Sequence, residues 1–505
     1  MSPAADSLLR HGTPYFYTVF ALSRRVHAAT AFLRTPRSKG PKAGPSGDTA
    51  VIATSQKFHI ARRLALCWLS LSSPVALAGD GQPDPSFAGN GKAVVGFSLA
   101  GTPATATGSA VKILPDGKIL LGGYWFNPTL MRNLASLARL TPNGDPDTSF
   151  GSGGIVYQVL PDTAEMTYLE NLVLQPDGKI LLMGTYGTRA FLARVDANGA
   201  LDTGFGQGGR LYYPATGNDH ATFGAGAMLA SGHIFISGNY YDAGSSSAGL
   251  LNILFDGNGN LLTAQVVSDV QVPLYDGAML VQDDGKVVVA SSASPQCAVV
   301  RVNVGPSSLS LDGSFGVGGI APLDWNQGSS NFCNAIAQQR DGRLIIAGEA
   351  QRADDGIRAV VTRLLTDGSV DPAFGKKAFS FVSSAPHILN AFQSVLIQND
   401  GRIVLAGSAY TNDPTHDIDF AALRLQPDGT LDATFGASTP FSSIGKVMVG
   451  FETTAKASPD NCYAAVLQNN RVVMVGSRER SDMNVDQFAV LRLQNDAIFA
   501  NSYEN

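Results

Sequence analysis

Two residue types recur at a spacing that could carry chemistry: an arginine, and an aspartate eight residues after it. The four regular copies are Arg139 with Asp147, Arg194 with Asp202, Arg363 with Asp371, and Arg424 with Asp432. In a fifth pair, Arg301 and Asp312, three extra residues intervene. A planar guanidinium group can bind both oxygens of a carboxylate, so each pair is predicted to be an ion pair. Because the pair repeats along the chain, we expect its role to be structural and not catalytic.

Known enzyme motifs are absent from the sequence. It has no Gly-x-Ser-x-Gly, His-Glu-x-x-His, phosphate-loop or Cys-x-x-Cys pattern. The Asp-rich turns lack the Asp-x-Asp-x-Asp-Gly run and the final Glu of a calcium loop. The sequence therefore predicts no metal and no cofactor, and favours a protein that is not an enzyme. Four histidines follow residue 78: His220, His233, His387 and His416. None of them lies at the spacing of metal ligands.

Composition indicates a globular chain with little charge. Of its 505 residues, 44% are hydrophobic and 15% are charged. No apolar run approaches the ~20 residues that a membrane-spanning helix needs. After residue 78 there are 26 basic and 39 acidic residues, a net charge of −13. Nucleic acid is therefore not an expected partner, because phosphate binding needs basic density.

The elements that must position these residues belong to a repeat of about 59 residues. Each unit contains a turn between two apolar runs, and Asp-Gly in such a turn predicts a β-hairpin because glycine supplies the positive φ. A second motif, close to Asp-x-Ser-Phe-Gly, follows each turn, and its phenylalanine is expected to pack between neighbouring units. The third unit has lost this motif. The turns lie at Asp116, Asp177, Ser231, Asp284, Asp341, Asp400 and Asn469.

Each unit has room for four strands, called a to d, predicted in the second unit at 154–159, 168–174, 179–184 and 190–195. The c strands are continuously apolar, which indicates burial on both faces. Sheets stacked face to face around an axis provide that burial, so the sequence predicts an all-β, seven-bladed β-propeller over residues 79–505. Pairing of 91–97 into the blade of 463–494 is expected to close the ring and to remove an exposed edge.

These motifs resemble the bacterial delta-60 repeat proteins over essentially the whole chain after residue 78. The closest copies are Gln175–Lys179 with Leu201–Gly206, and Leu423–Gly429 with Leu431–Asp432. The resemblance implies a secreted or cell-envelope propeller. It implies no agreed activity.

The N-terminal 78 residues differ from the rest, with ten basic residues against two acidic ones. Residues 57–78 read as a secretory signal peptide: a basic start at Lys57–Arg63, an apolar stretch at Leu64–Pro74, and a small-residue site before Gly79. A buried helix is the alternative for residues 57–78. If they are a signal peptide, residues 1–56 are an upstream leader, or translation starts near Val51. The expected location is secreted or periplasmic, after cleavage near Ala78-Gly79.

Cysteine usage fits export without requiring it. Cys67 would leave with the signal peptide, and Cys297, Cys333 and Cys462 remain. Three cysteines allow at most one intramolecular disulfide. The sequence favours three small buried residues in a fold that does not depend on bridges.

Loop geometry indicates which end of the ring contacts a partner. If the strands alternate in direction, the recurring turns and linkers share one end, and the a–b and c–d loops share the other, here called the variable end. Repeat proteins place function where copies diverge, on loops held by a rigid frame. Aromatic residues mixed with charged ones suit a glycan or a protein partner. The candidate ligand-binding residues are Tyr124, Trp125, Phe126, Tyr186, Tyr240, Tyr241, Asp413, His416, Arg478 and Arg480.

Other interpretations stay open. The variable loops could have drifted without selection, or the chain could be a purely structural envelope protein. A propeller hydrolase or lyase would need a histidine and a carboxylate at the mouth of the central channel, with His220, His233 or His416 as the base. The sequence favours a monomeric binding or scaffold module.

Overall fold

The computed structural model describes residues 80–161, 164–214, 219–244, 247–268, 278–291, 296–325, 330–352, 356–381, 388–413, 416–436, 444–451, 459–480 and 485–495. All regular structure in these ranges is β-strand. The leader at 1–56, the signal peptide at 57–78 and the cleavage site at Ala78-Gly79 lie outside the described residues. Within the described ranges, no helix has the length and apolarity that crossing a bilayer requires.

The strands form seven blades, which confirms the predicted propeller. Before the first blade lie β1 (Lys92–Val95), β2 (Phe97–Leu99) and β3 (Thr102–Ala104). Blade 1 comprises β4 (Ala106–Ile113), β5 (Ile119–Asn127), β6 (Arg132–Leu140) and β7 (Ile155–Val156). Blade 2 comprises β8 (Thr167–Leu174), β9 (Ile180–Tyr186), β10 (Arg189–Val195) and β11 (Arg210–Tyr213). Blade 3 comprises β12 (His220–Met228), β13 (Ile234–Asp242), β14 (Ser247–Phe255) and β15 (Leu261–Val267).

The remaining blades follow the same order. Blade 4 comprises β16 (Ala278–Val281), β17 (Val287–Ser291), β18 (Cys297–Val304), a short β19 (Leu309–Leu311) and β20 (Ile320–Leu323). Blade 5 comprises β21 (Ser330–Gln338), β22 (Leu344–Arg352), β23 (Gly356–Leu364) and β24 (Lys376–Phe379). Blade 6 comprises β25 (Ile388–Ile397), β26 (Ile403–Asp413), β27 (His416–Leu425) and β28 (Lys446–Val449). Blade 7 comprises β29 (Asp460–Gln468), β30 (Arg471–Arg480), β31 (Val485–Leu493) and β1.

Each blade takes its fourth strand from the next sequence unit. The predicted b, c and d strands form the first three strands of a blade, and the following a strand adds at the outer edge, as β11 does beside β10 with Ala190 opposite Tyr213. Because every blade borrows a strand in this way, the first a strand must complete the last blade. β1 does so, pairing antiparallel with β31 with Ala93 opposite Val490. The predicted closure of the ring is confirmed.

The first and last described segments are joined not only by strand pairing but also by a turn to which both contribute. In blade 2 the turn after β10 is held by a bond from Gly199 N to Asp196 O, 3.0 Å long. In blade 7 the equivalent bond runs from Gly81 N to Gln494 O, also 3.0 Å. The described chain thus begins and ends within one copy of the repeated turn.

The recurring arginine joins adjacent blades. Arg139 Nε donates to Asp147 Oδ2 at 2.7 Å, and its Nη1 donates to the Ala197 carbonyl of blade 2 at 2.6 Å. Its guanidinium group lies 4.4 Å from the ring centre of Phe150, which is fully buried. The same ion pair and ring contact recur at Arg194, Arg301, Arg363, Arg424 and Arg492.

The junction between blades 3 and 4 lacks this arrangement. Leu254 occupies the position of the arginine, and the linker that carries the aspartate and phenylalanine is missing, as the eroded third unit indicated. Leu262 of β15 packs instead into one apolar cluster with Leu309 and Leu311 of β19 in blade 4. Apolar packing therefore replaces the ion pair at this one junction.

One sequence-based expectation about cysteine is wrong. Cys297 of blade 4 and Cys333 of blade 5 form a disulfide, whereas Cys462 is buried and unbridged. The two bridged residues are 36 positions apart in sequence. They come together because the third strand of one blade faces the innermost strand of the next.

Candidate functional site

Two of the predicted ligand-binding residues belong to the core, and their prediction as surface residues is wrong. Trp125 is 2% exposed, donates from Nε1 to the Tyr157 carbonyl at 2.5 Å, and packs against Phe97. Tyr186 is 1% exposed and contacts the ring of Tyr212. Side chains alternate along a strand, so neighbours in the Tyr124-Trp125-Phe126 run point to opposite faces. Phe126 and Tyr124 are partly exposed.

Tyr124 belongs to a group of side chains from three blades, here called the tyrosine cluster: Tyr124, Tyr168, Glu170 and Tyr463. The rings of Tyr124 and Tyr168 meet edge to face with 4.9 Å between centres. Glu170 and Tyr463 are close enough to affect the titration of Tyr124 electrostatically. Tyr463 is 42% exposed. The cluster combines hydroxyl donors, a carboxylate acceptor and aromatic faces.

β-Bulges on the innermost strands explain the position of Glu170 and Tyr463. The pairing of β8 with β9 skips Glu170, and the pairing of β29 with β30 skips Tyr463. A bulge leaves one residue outside the ladder and re-aims its side chain. Among the described strands, six blades carry a bulge at the same register, and the skipped residues are Ser109, Glu170, Gly224, Asn334, Gln393 and Tyr463.

A glycine on the second strand of the blade permits each bulge. A Cβ on Gly184 would lie 2.0 Å from the Tyr168 carbonyl oxygen, and one on Gly476 would lie 1.7 Å from that of Asn461. No side chain fits that gap, so the backbone of the bulged strand occupies the space. Some bulged residues tie blades together: Asn334 Nδ2 donates to the Phe392 carbonyl of the next blade at 3.2 Å.

Burial shifts the titration of the groups around the cluster. Desolvation by the surrounding strands raises the pKa of Tyr124 well above its ordinary value and that of Tyr463 to about 12, although part of the Tyr463 side chain is exposed. Both therefore remain protonated donors at neutral pH. Asp486 contributes to the shift at Tyr463. Burial, together with the charge of Glu479 directly across β30 and β31, raises the pKa of Asp486 to about 6.

Tyr240 and Tyr241 form a separate group on blade 3. Tyr240 donates from its hydroxyl to Asp219 Oδ2 at 2.6 Å, and this bond raises the pKa of Tyr240 to about 12. Tyr241 is 36% exposed and lies edge-on to His220, 5.9 Å between ring centres. Asp219 already accepts two hydrogen bonds, the second from Ala243 N.

The remaining predicted residues do not converge on one point. Arg478 donates to the Gln487 side chain at 2.9 Å, and Arg480 ends β30 with a partly exposed side chain. Asp413 and His416 face each other across the β26–β27 hairpin, and their side chains lie outside the described residues. His233 follows the Ser231-Gly232 turn, at the end of the ring opposite to His220. In the part of the chain that the structure describes, no three His, Cys, Asp or Glu side chains are placed to hold a metal ion.

The sequence of the c–d loops gives no indication of Tyr168, Glu170, Tyr463 and Asp486. All four lie within strands and not in the c–d loops. A signal was present in the sequence. A glycine stands at the fifth or sixth position of every described c strand except β17, and such a glycine indicates a close backbone approach, which is what permits the bulge.

A comparison with protein-family models agrees with this architecture. A family model described as "Domain of unknown function (DUF5122) beta-propeller" matches residues 114–150, 175–205, 339–374 and 398–435. No curated protein matches the chain. Among solved structures, the polysaccharide lyase Uly1 shares 10% identity at a TM-score of 0.41, covering 82% of this chain and 96% of its own. The β-propeller domain of the Trilobed protease from Pyrococcus furiosus shares 10% identity at a TM-score of 0.39, and the match covers 80% of this chain and 99% of that domain. A protein from Lactobacillus plantarum shares 12% identity at a TM-score of 0.39, and the match covers 77% of this chain and 100% of that protein. The chain is a β-propeller repeat protein.

Proposed function

We propose that this delta-60-type propeller is a binding module of the cell exterior or envelope, which holds a glycan at the variable end through the tyrosine cluster. The observation that carries the proposal is the convergence of Tyr124, Tyr168, Glu170 and Tyr463 from blades 1, 2 and 7. Sugar rings present hydroxyls at their edges and C–H faces above and below. Tyrosines supply apolar faces with polar tips, and a carboxylate accepts hydroxyl hydrogen bonds.

The disulfide supports an exported location. Disulfides persist in oxidising compartments, such as the periplasm and the exterior, and are rare in a reducing cytosol. Cys297 and Cys333 are both fully buried, so their bridge is shielded from reductants. The signal-peptide prediction at 57–78 indicates the same location from independent residues.

Calorimetric titration of the purified chain against neutral and acidic oligosaccharides tests the proposal. Tyr463→Ala should abolish or strongly weaken binding, because this ring is the most exposed member of the cluster. Tyr241→Ala is a matched control, since it removes a tyrosine of similar exposure from blade 3. Binding that survives Tyr463→Ala but is lost in Tyr241→Ala would move the site to blade 3. No binding by any oligosaccharide would contradict the proposal.

A propeller hydrolase or lyase is the second candidate, and Asp486 is the observation that favours it. With a pKa raised to about 6, this carboxyl can hold a proton near neutral pH and give it to a leaving oxygen. It acts electrostatically on Tyr463, so the acid would lie within the same cluster. The two described histidines proposed as the base, His220 and His233, take no part in this arrangement: His220 lies against Tyr241, and His233 lies at the opposite end of the ring. Release of reducing ends or of unsaturated sugars, lost in Asp486→Asn, would establish this candidate over simple binding.

A further inference from the structure

The outer strand of each blade has one edge with no strand beside it, and blade 3 has by far the longest such edge among the described residues. β15 has seven residues, whereas β1, β11, β20, β24 and β28 have four each and β7 has two. A row of unpaired backbone donors and acceptors is a template for pairing with another chain, and short outer strands limit it.

The other outer strands carry protective residues that β15 lacks. A lysine, arginine or proline on an edge strand blocks pairing by charge or by the missing N–H. β15 reads Leu-Leu-Thr-Ala-Gln-Val-Val and has none of them. The protective residues elsewhere are Lys92, Arg210, Pro322, Lys376, Lys377 and Lys446, and β7 is too short to need one.

The side chains of β15 are also unusually exposed for their type. Leu261 is 53% exposed, Val266 is 45% exposed and Ala264 is exposed. β15 ends its sheet, pairing only with β14 among the described strands. A register shift at Leu262 bends its start, and Thr263–Val267 form a regular ladder with β14. Five regular residues remain available on the free edge.

We infer that β15 is an association edge, which pairs antiparallel with β15 of a second copy of this chain about a twofold axis. Charge favours this partner. The chain has a net charge of −5, which opposes association of two copies in general, but β15 has no charged residue and so brings no like charges together at the contact. A twofold contact uses the same patch on both subunits, and an uncharged strand with Ala264 near its centre is complementary to itself.

The area involved sets the strength of the contact. One pair of short strands buries less than the ~1,200 Å² of a stable interface. The dimer should therefore form in a concentration-dependent way. This inference departs from the monomer that the sequence favours.

Sedimentation velocity on the full chain, from about 1 µM to about 200 µM, tests the inference. The wild type should shift from monomer towards dimer as concentration rises. Val266→Lys places on β15 the residue type that protects other blades, and should weaken dimerisation at least about tenfold. Val317→Lys is the matched control: it makes the same substitution at an 83% exposed position in a blade 4 loop, and should change nothing.

Hydrogen exchange of the Thr263–Val267 amides supplies a second readout. Alternate amides of a strand point to opposite edges, so in the wild type those that point away from β14 should exchange more slowly as concentration rises, because pairing covers them. A wild type that stays monomeric throughout would overturn the inference. So would a dimer that Val266→Lys leaves intact, or one that forms without protecting these amides, because the contact would then lie elsewhere.

Discussion

Arg492 Nε donates a hydrogen bond to Asp84 Oδ2 over 2.8 Å, between residues 408 positions apart in sequence. Burial alone would raise the pKa of Asp84, but hydrogen bonds from Ser86 and the charge of Arg492 outweigh it and hold the pKa below its ordinary value. Arg492 Nη1 also reaches the Pro142 carbonyl of blade 1 at 2.7 Å. One buried pair thus joins the first and last described segments of the propeller to the first blade.

Removing Asp84 should destabilise the whole ring. Asp84→Ala leaves the Arg492 guanidinium group buried without its carboxylate, and breaking a buried pair in this way costs about 3–5 kcal/mol. Asp116→Ala is the control: its side chain is 54% exposed and pairs with Lys118 at 3.4 Å, so a loss below about 1 kcal/mol is expected. Urea unfolding measures both. Equal losses in the two variants would show that closure does not depend on the pair.

The turn glycines separate backbone strain from crowding between blades. Gly178 and Gly199 have φ values of 83° and 84°. A Cβ on Gly178 has no atom within 4 Å, whereas one on Gly199 would lie 2.6 Å from Val156 and 2.9 Å from Phe150. Gly178→Ala should therefore cost only the left-handed strain, about 1–2 kcal/mol.

Gly199→Ala should cost a further ~1–3 kcal/mol, because Phe150 cannot retreat from a packed junction. Thermal unfolding of both variants, side by side, measures the difference. If Gly199→Ala is no worse than Gly178→Ala, the phenylalanine is not a rigid contact between blades.

The sequence predicted the parts of this fold that depend on short-range spacing. Asp-Gly turns specify hairpins locally, and the eight-residue interval from Arg194 to Asp202 is set by one strand end and one linker. The predicted strands of the second unit, 168–174 and 190–195, lie within one residue of β8 and β10. The sequence also allows Arg492 to be predicted as the partner of Asp84, because Leu491-Arg492-Leu493 repeats the pattern of the other strands that carry the arginine.

The candidate site was less predictable because it depends on which face a residue takes in the folded ring. Tyr124 and Trp125 are adjacent in sequence, yet Trp125 is buried and Tyr124 reaches a neighbouring blade. Glu170 and Tyr463 read as ordinary strand residues until the bulge removes them from the ladder. The disulfide likewise joins strands of different blades, and no local pattern encodes that contact.

Reduction should loosen the junction between blades 4 and 5. A disulfide that closes a loop of this size stabilises by about 2–4 kcal/mol. In a thermal scan dithiothreitol reaches these buried cysteines once the chain unfolds, so it should lower the melting temperature of the wild type and leave a Cys297→Ala/Cys333→Ala variant unchanged. Thiol titration of the unfolded, unreduced chain should detect Cys462, and Cys67 where the N-terminal segment is retained. Reactive thiols at Cys297 and Cys333 in that assay would contradict the bridge.

Two carboxyl groups with raised pKa values should make the protein more stable at mildly acidic pH than at alkaline pH. Burial raises the pKa of Glu349 to about 7, and burial with the Glu479 charge raises that of Asp486 to about 6. In the unfolded chain both titrate near their ordinary values, so between about pH 4 and pH 7 the folded state binds more protons. The free energy of unfolding must then fall as pH rises through this window.

Below about pH 4 the slope reverses, because the linker aspartates have lowered pKa values. Hydrogen bonds from Ser149, Arg139 and Lys118 lower the pKa of Asp147, so the stability that this group contributes is lost as acid protonates it. The melting temperature should therefore peak near pH 4 to 5. Glu349→Gln and Asp486→Asn should each reduce the fall in melting temperature between about pH 4 and pH 7. Asp116→Asn should leave this fall unchanged. A melting temperature that rises from pH 5 to pH 8 would show that the two carboxyls are not held protonated by the fold.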